Sequence, residues 1–150
     1  MVFVDPIAAA GVDRIVVEKS ARKLTLIENG AVIRSYRVAL GANPLGHKQR
    51  EGDERTPEGE YVIDYRNDDS SFYRSLHISY PNEVDRQRAA EHGVEPGGDI
   101  MIHGLPDEWG WLGSIHHALD WTDGCIAVTN WEMDEIWSLV EEGTPIEIVP

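Results

Sequence analysis

The stretch RIVVEKSARKLTLIENGAVIRSYRVAL, residues 14–40, decides the fold class. Its first runs, RIVVEK (14–19) and KLTLIE (23–28), are short and rich in β-branched residues, a strand composition. Asn29-Gly30 then leads into AVIRSYRVAL (31–40). Both turn residues accept positive φ, so the dipeptide predicts a hairpin closed by a type I′ turn. A chain that begins in this way is built on a sheet.

Working outward, further strands are expected at EYVIDY (60–65), SLHISY (75–80), DIMIHG (99–104), CIAV (125–128) and PIEIV (145–149). The segment 41–59, GANPLGHKQREGDERTPEG, holds four glycines and two prolines and is expected to be a loop. A loop of this length in a compact domain is more often functional than accidental. Two helices are expected. NEVDRQRAAEHG (82–93) has Asn82 as N-cap and Gly93 as its stop. TNWEMDEIWSLVEEG (129–143) has Thr129 and Glu132 in a capping-box pattern and ends at Gly143. Its Met133, Ile136, Trp137 and Val140 fall at helical spacing, one apolar face for a core. The expected fold is mainly β, a single domain over 14–150 with helices packed on or beside the sheets. Residues 1–13 read as a leader remnant or tail. MVFVDPIAAAG has no basic n-region and is broken by Asp5 and Pro6, so no signal peptide is visible.

Composition narrows the function. A chain of 150 residues with 41% hydrophobic residues and mean hydropathy −0.36 fits a soluble globular domain. No run approaches the roughly 18 to 20 apolar residues of a membrane span. Net charge is −14, from 27 acidic and 13 basic residues, which argues against nucleic acid and anionic lipid as partners. The single cysteine excludes an internal disulfide. No HExxH motif or paired Cys/His spacing calls for a metal, and no cofactor is implied. A metal-dependent hydrolase would have to draw on His103, His116 or His117 with Asp120.

That cysteine, Cys125, lies in DWTDGCIAVTN (120–130). It reads either as a small buried residue in a strand or as a nucleophile lifted into a cleft. A nucleophilic thiol needs a base in reach and donors for the oxyanion. Gly124 lets the backbone turn tightly, so the amides of Gly124 and Cys125 are candidate donors. His103 is the best-placed base, at the end of DIMIHG where Gly104 opens a loop. Asp123 beside the thiol would raise its pKa unless paired with a histidine. It reads either as a turn residue bonding its own backbone or as a partner for His116 or His117.

Taken together, IMIHG (100–104) and WTDGCIAVTN (121–130) resemble the active-site signature of the YkuD-type L,D-transpeptidase catalytic domain. GDERTPEGEYVI (52–63) is similar to that family's Thr-Pro-x-Gly-x-Tyr segment. LHISYPNEVD (76–85) with GGDIMIHG (97–104) resembles the murein-acting branch of the YafK type. The resemblance implies a β-sandwich or barrel with two or three peripheral helices. It also implies Cys125 as nucleophile, His103 as base, the Gly104 carbonyl as orienter of the imidazole, and Gly124 with Cys125 as oxyanion donors. Peptidoglycan stem peptides would be the partner, outside the cytoplasm, with Tyr80, His116, His117, Trp121, Thr122 and Asp123 around them. Acylation of Cys125 by carbapenems is a further implication.

The sequence departs from the commonest family pattern. Thr122-Asp123-Gly124-Cys125-Ile126-Ala127 lacks both the second histidine and the arginine two places after the cysteine. This touches the contact to the substrate carboxylate. Transpeptidase, hydrolase and a catalytically silent binding module all stay open at this point, as does the oligomeric state.

Overall fold

The computed structural model describes residues 11–106 and 120–150. Eight strands run in the spatial order β3-β2-β1-β8-β4-β5-β6-β7. They are β1 (Arg14–Glu18), β2 (Lys23–Glu28), β3 (Ala31–Arg37), β4 (Gly59–Ser70), β5 (Tyr73–Ile78), β6 (Met101–His103), β7 (Ile126–Ala127) and β8 (Pro145–Val149). The two described helices are α1 (Glu83–Glu91) and α2 (Asn130–Leu139).

The hairpin forms as the Asn-Gly signal predicts. Glu28 pairs with Ala31, and Asn29 and Gly30 sit at φ of 52° and 78°. β1 then takes β2 antiparallel on one side and β8 parallel on the other. In β1 and β8 alternation turns Ile15, Val17, Ile146 and Ile148 inward, and in β2 Leu24 and Leu26 follow.

β4 makes the layered shape. Its first residues pair with β8 and its later ones with β5, with a register shift between Ile63 and Tyr65. One long strand thus belongs to two sheets, which curl over a shared core containing Ile63, Leu76, Ile78, Ile102 and Ile126. The far edges also meet. Past β3 the chain leaves β2, and Ala39 bridges Ala127 while Gly41 bridges Thr122. The domain is therefore mainly β, a curled eight-stranded sheet nearly closed on itself, with two helices on it.

Both helices start where the sequence says. Asn82 Oδ1 accepts from Asp85 N–H, and Asp85 returns the bond to Asn82 N–H. Thr129 and Glu132 form the same reciprocal pair. α2 stops at Leu139, short of the expected Gly143. Val140 swings to an extended conformation to bury its side chain, and Gly143, at φ 91°, serves the turn into β8 instead. Met133 and Ile136 are buried as the apolar face requires. β4 runs longer than expected because β5 pairs along it, and β7 is only a two-residue ladder.

The glycine-rich segment before β4 is a loop held by a buried cation. Lys19, 2% exposed, donates from Nζ to Gly46 O at 2.8 Å and Thr56 O at 2.7 Å and pairs with Glu58 at 3.2 Å. The folded body includes residues before 14. Val12 lies in the core and its N–H reaches Leu139 O at 3.3 Å. Residues 1–10 fall outside the described residues.

Candidate active site

β6 and β7 are parallel, with Ile102 opposite Ile126 and His103 opposite Ala127. The isoleucines fill the core, so strand alternation turns His103 and, one step before β7, Cys125 to the same opposite face. His103 is two positions beyond Met101, the residue level with Cys125. Nonlocal pairing therefore brings together two residues far apart in sequence.

His103 is 2% exposed. Its Nδ1–H donates to Gly104 O at 2.7 Å, which fixes the tautomer and leaves Nε2 as the acceptor. Phe72 stacks on the ring with centroids 4.4 Å apart, and Trp121 stands 5.8 Å away at a tilt. Burial pushes the imidazole down to about 4, against the raising effect of the Gly104 bond, so the ring is neutral at ordinary pH.

Cys125 is half-buried, opening on a cleft of about 530 Å³. Phe72, Asp99, Met101 and Asp123 line it, with Lys48, Glu51 and Glu54 on the loop opposite. The thiol donates to Asp99 O at 3.3 Å. Protein atoms crowd the sulfur enough that burial pushes the thiol up to about 11. The Met101 backbone hydrogen bond opposes this, and Asp123 and Asp99 add to it. A neutral imidazole and an undissociated thiol are the ground state.

Thr122 closes the turn before Cys125. Its hydroxyl donates to Cys125 O at 2.7 Å and accepts from Gly124 N–H at 3.1 Å. Gly124 is at φ 131°, and a Cβ there would lie 2.6 Å from Arg55 O and 3.1 Å from Ile100 Cδ1, so only glycine fits. The Gly124 N–H, expected to serve an oxyanion, donates to Thr122 Oγ1 inside the turn. Thr122 is buried and clamps the turn rather than facing the cleft. Tyr80, expected near substrate, is a core residue. It is 2% exposed, and its hydroxyl donates to Pro96 O at 2.8 Å. Asp123 is exposed on the cleft and makes no hydrogen bond among the described residues, so the turn bond to its own backbone is not seen. Trp121 stands beside His103, while His116 and His117 lie outside the described residues.

Sequence reading missed Phe72, Asp99 and Lys48. Phe72 reaches His103 because Ser75 pairs with His103 across β5 and β6, a register no local pattern announces. Asp99, at φ 54°, contributes a backbone carbonyl, which any residue carries. Asp120, the acid named for a metal alternative, is held by Arg22 at 2.7 Å and by Leu40 N–H at 3.2 Å. Among the described residues no group of three or more His, Cys, Asp or Glu is arranged to hold a metal ion.

Cys125 thus opens on the cleft from the same sheet face that carries the tautomer-fixed His103, within a curled β domain. The chain belongs to the YkuD family, the L,D-transpeptidase catalytic domain, which it matches over residues 12–148. It is 37% identical to YafK of Escherichia coli (strain K12) over 116 residues, 75% of this chain and 39% of that protein. It thus spans well under half the length of the curated relative. Among solved structures, the helical cell shape determining protein Pgp2 of Campylobacter jejuni (K307A mutant) has a TM-score of 0.69 at 25% identity, covering 91% of this chain and 46% of that one. Bd1075 of Bdellovibrio bacteriovorus gives 0.64 at 26%, covering 94% and 49%. The Enterococcus faecium L,D-transpeptidase (C442S mutant) shares the fold, at 0.61 and 16% identity, covering 95% and 51%.

Proposed function

We propose that this domain is a cysteine acyltransferase acting on peptidoglycan stem peptides outside the cytoplasm, with Cys125 as nucleophile and His103 as base. The observation that carries the reading is the 2.7 Å bond from His103 Nδ1–H to Gly104 O, which leaves Nε2 to accept a proton on the face shared with Cys125. The thiol first leaves Asp99 O and turns toward Nε2. It gives its proton to Nε2 as sulfur attacks the amide carbonyl. The oxyanion of the tetrahedral intermediate is met by the Cys125 N–H, since the Gly124 N–H is engaged by Thr122. Collapse breaks the C–N bond, and the amine departs with the proton held by His103. A thioester on Cys125 remains, and an incoming amine or water resolves it.

Hydrolysis is the second reading, and a specific observation favours it. The position where the family commonly carries arginine is Ala127, fully buried in the β6–β7 ladder. No cation from that position can hold a substrate carboxylate. Incubation with purified muropeptides, read by mass, separates the two. New cross-linked dimers are expected from transfer and shortened stems from hydrolysis. Unchanged muropeptides would contradict both and leave a binding module.

A further inference from the structure

The arginines fall into two groups. Arg14, Arg22, Arg34 and Arg74 each hold a carboxylate. Among the described residues Arg37, Arg50, Arg55, Arg66, Arg86 and Arg88 hold none, in a chain where acids outnumber bases 27 to 13, and Arg66 and Arg86 bond backbone carbonyls instead. Arg50, Arg55 and Arg88 converge on two adjoining cavities. One, about 330 Å³, has Asn43, Gln49, Arg50 and Arg55 in its lining. The other, about 230 Å³, has Gln49, Arg50, Arg88 and His92. Gln49 and Arg50 form the shared wall. Arg55 Nε is buried with no hydrogen-bond partner among the described residues, a donor left for an acceptor that those residues do not supply.

The one carboxylate in the lining does not neutralise this cluster. Asp53 is engaged by Lys48 Nζ at 2.9 Å and by the N–H groups of Gln49, Arg50 and Arg55 at 2.8, 3.1 and 3.2 Å. Desolvation would raise its pKa, but those bonds hold it below the usual carboxylate range, so it stays ionised and shapes the loop. The walls are set before any ligand arrives. Glu51 N–H donates to Glu95 O at 2.9 Å, tying this loop to the segment after α1. The last carbonyls of α1 are taken by the N–H groups of His92, Gly93 and Val94, so the negative helix end is covered.

We propose that the two cavities form one anion-binding groove for carboxylates of an extended peptide, with Arg55 and Arg50 serving one cavity and Arg50 and Arg88 the other. Guanidinium groups pair with carboxylates through two parallel hydrogen bonds, which gives position as well as charge. Glu51 and Gly52, next along the same loop, line the Cys125 cleft. A stem peptide seated at Cys125 therefore continues onto the groove with its carboxylates remote from the scissile bond. The identity of the ligand rests on the peptidoglycan reading; the groove itself does not.

The test uses Cys125→Ala protein, which leaves peptide intact, titrated with a disaccharide tetrapeptide and with the same molecule after amidation of its carboxylates. Arg50→Gln and Arg88→Gln, both at exposed positions, should each weaken binding of the carboxylated ligand on the order of tenfold. The amidated ligand should bind weakly to every variant alike. Arg55→Gln should act in the same direction, and the exposed pair keeps the test intact if that variant does not fold. Equal affinity for both ligands, or no effect of Arg50→Gln and Arg88→Gln, overturns the groove. Arg50-dependent binding to phosphatidylglycerol vesicles in place of the peptide also overturns it. A parallel arm with Cys125 intact measures carbapenem adduct formation by the parent protein. No adduct in the parent protein would sink the catalytic reading while leaving the groove to be judged on binding.

Discussion

His103 can serve as a base only while its ring is neutral, and its burial ensures that. The same burial ties stability to pH. The ordinary histidine value is 6.5 and the folded one about 4, so as pH falls through 6.5 the unfolded chain takes up a proton that the folded chain refuses. Stability from this group is complete above 6.5 and is lost as pH drops toward 4. The shift corresponds to about 3 kcal/mol. Urea unfolding of the parent should show the midpoint falling across that window, and His103→Gln should flatten the fall. An identical pH dependence in the two proteins would mean the imidazole is not held neutral by the fold. That His103 and Cys125 are candidates for the site was readable from their neighbours, MIHG and TDGC. How they are disposed was not, because the thiol proton goes to the carbonyl of Asp99, and a backbone carbonyl has no signature in a sequence.

Among the elements, the turn before β7 decides whether the sulfur is correctly presented. Thr122 bonds both the N–H of Gly124 and the carbonyl of Cys125. Thr122→Val keeps the shape and removes both bonds, and a lost bond to a buried backbone group costs on the order of 1–3 kcal/mol. Thermal unfolding should register that cost, and carbapenem acylation should slow at least tenfold, whereas Thr122→Ser should retain both properties. A valine variant acylated at the parent rate would mean the turn holds itself. Local elements were the most legible part of the chain. The Asn29-Gly30 hairpin and both helix caps follow from residues within a few positions of one another. The end of α2 was misjudged because burial of Val140 in the core overrides the glycine stop signal.

Across the whole molecule, the cleft exists because a long loop is pinned opposite the strand edge bearing Cys125. Lys19, on the far side of the sheet order from β7, does the pinning through Gly46, Thr56 and Glu58. Burial lowers the Lys19 pKa, and Glu58 opposes that shift, so the charge depends on its partner. Lys19→Met should destabilise the fold by about 3 kcal/mol, the scale for breaking a buried pair, and should raise amide exchange over residues 44–58 above that in the β1–β2 hairpin. Exchange that rises evenly across the chain would contradict a specific anchor. This level was the least legible. The curl at β4 and the closure of Ala39 onto Ala127 depend on pairings between distant segments, and no periodicity within any one segment encodes them.

All three scales meet at the sulfur, and intact-mass analysis after exposure to a carbapenem reads it directly. One adduct per chain is expected on Cys125 and none on Cys125→Ala. On His103→Gln an adduct should form ~10² to 10⁴ more slowly. An unmodified parent protein, an adduct that persists in Cys125→Ala, or parent-rate acylation of His103→Gln would contradict a Cys125 nucleophile served by His103.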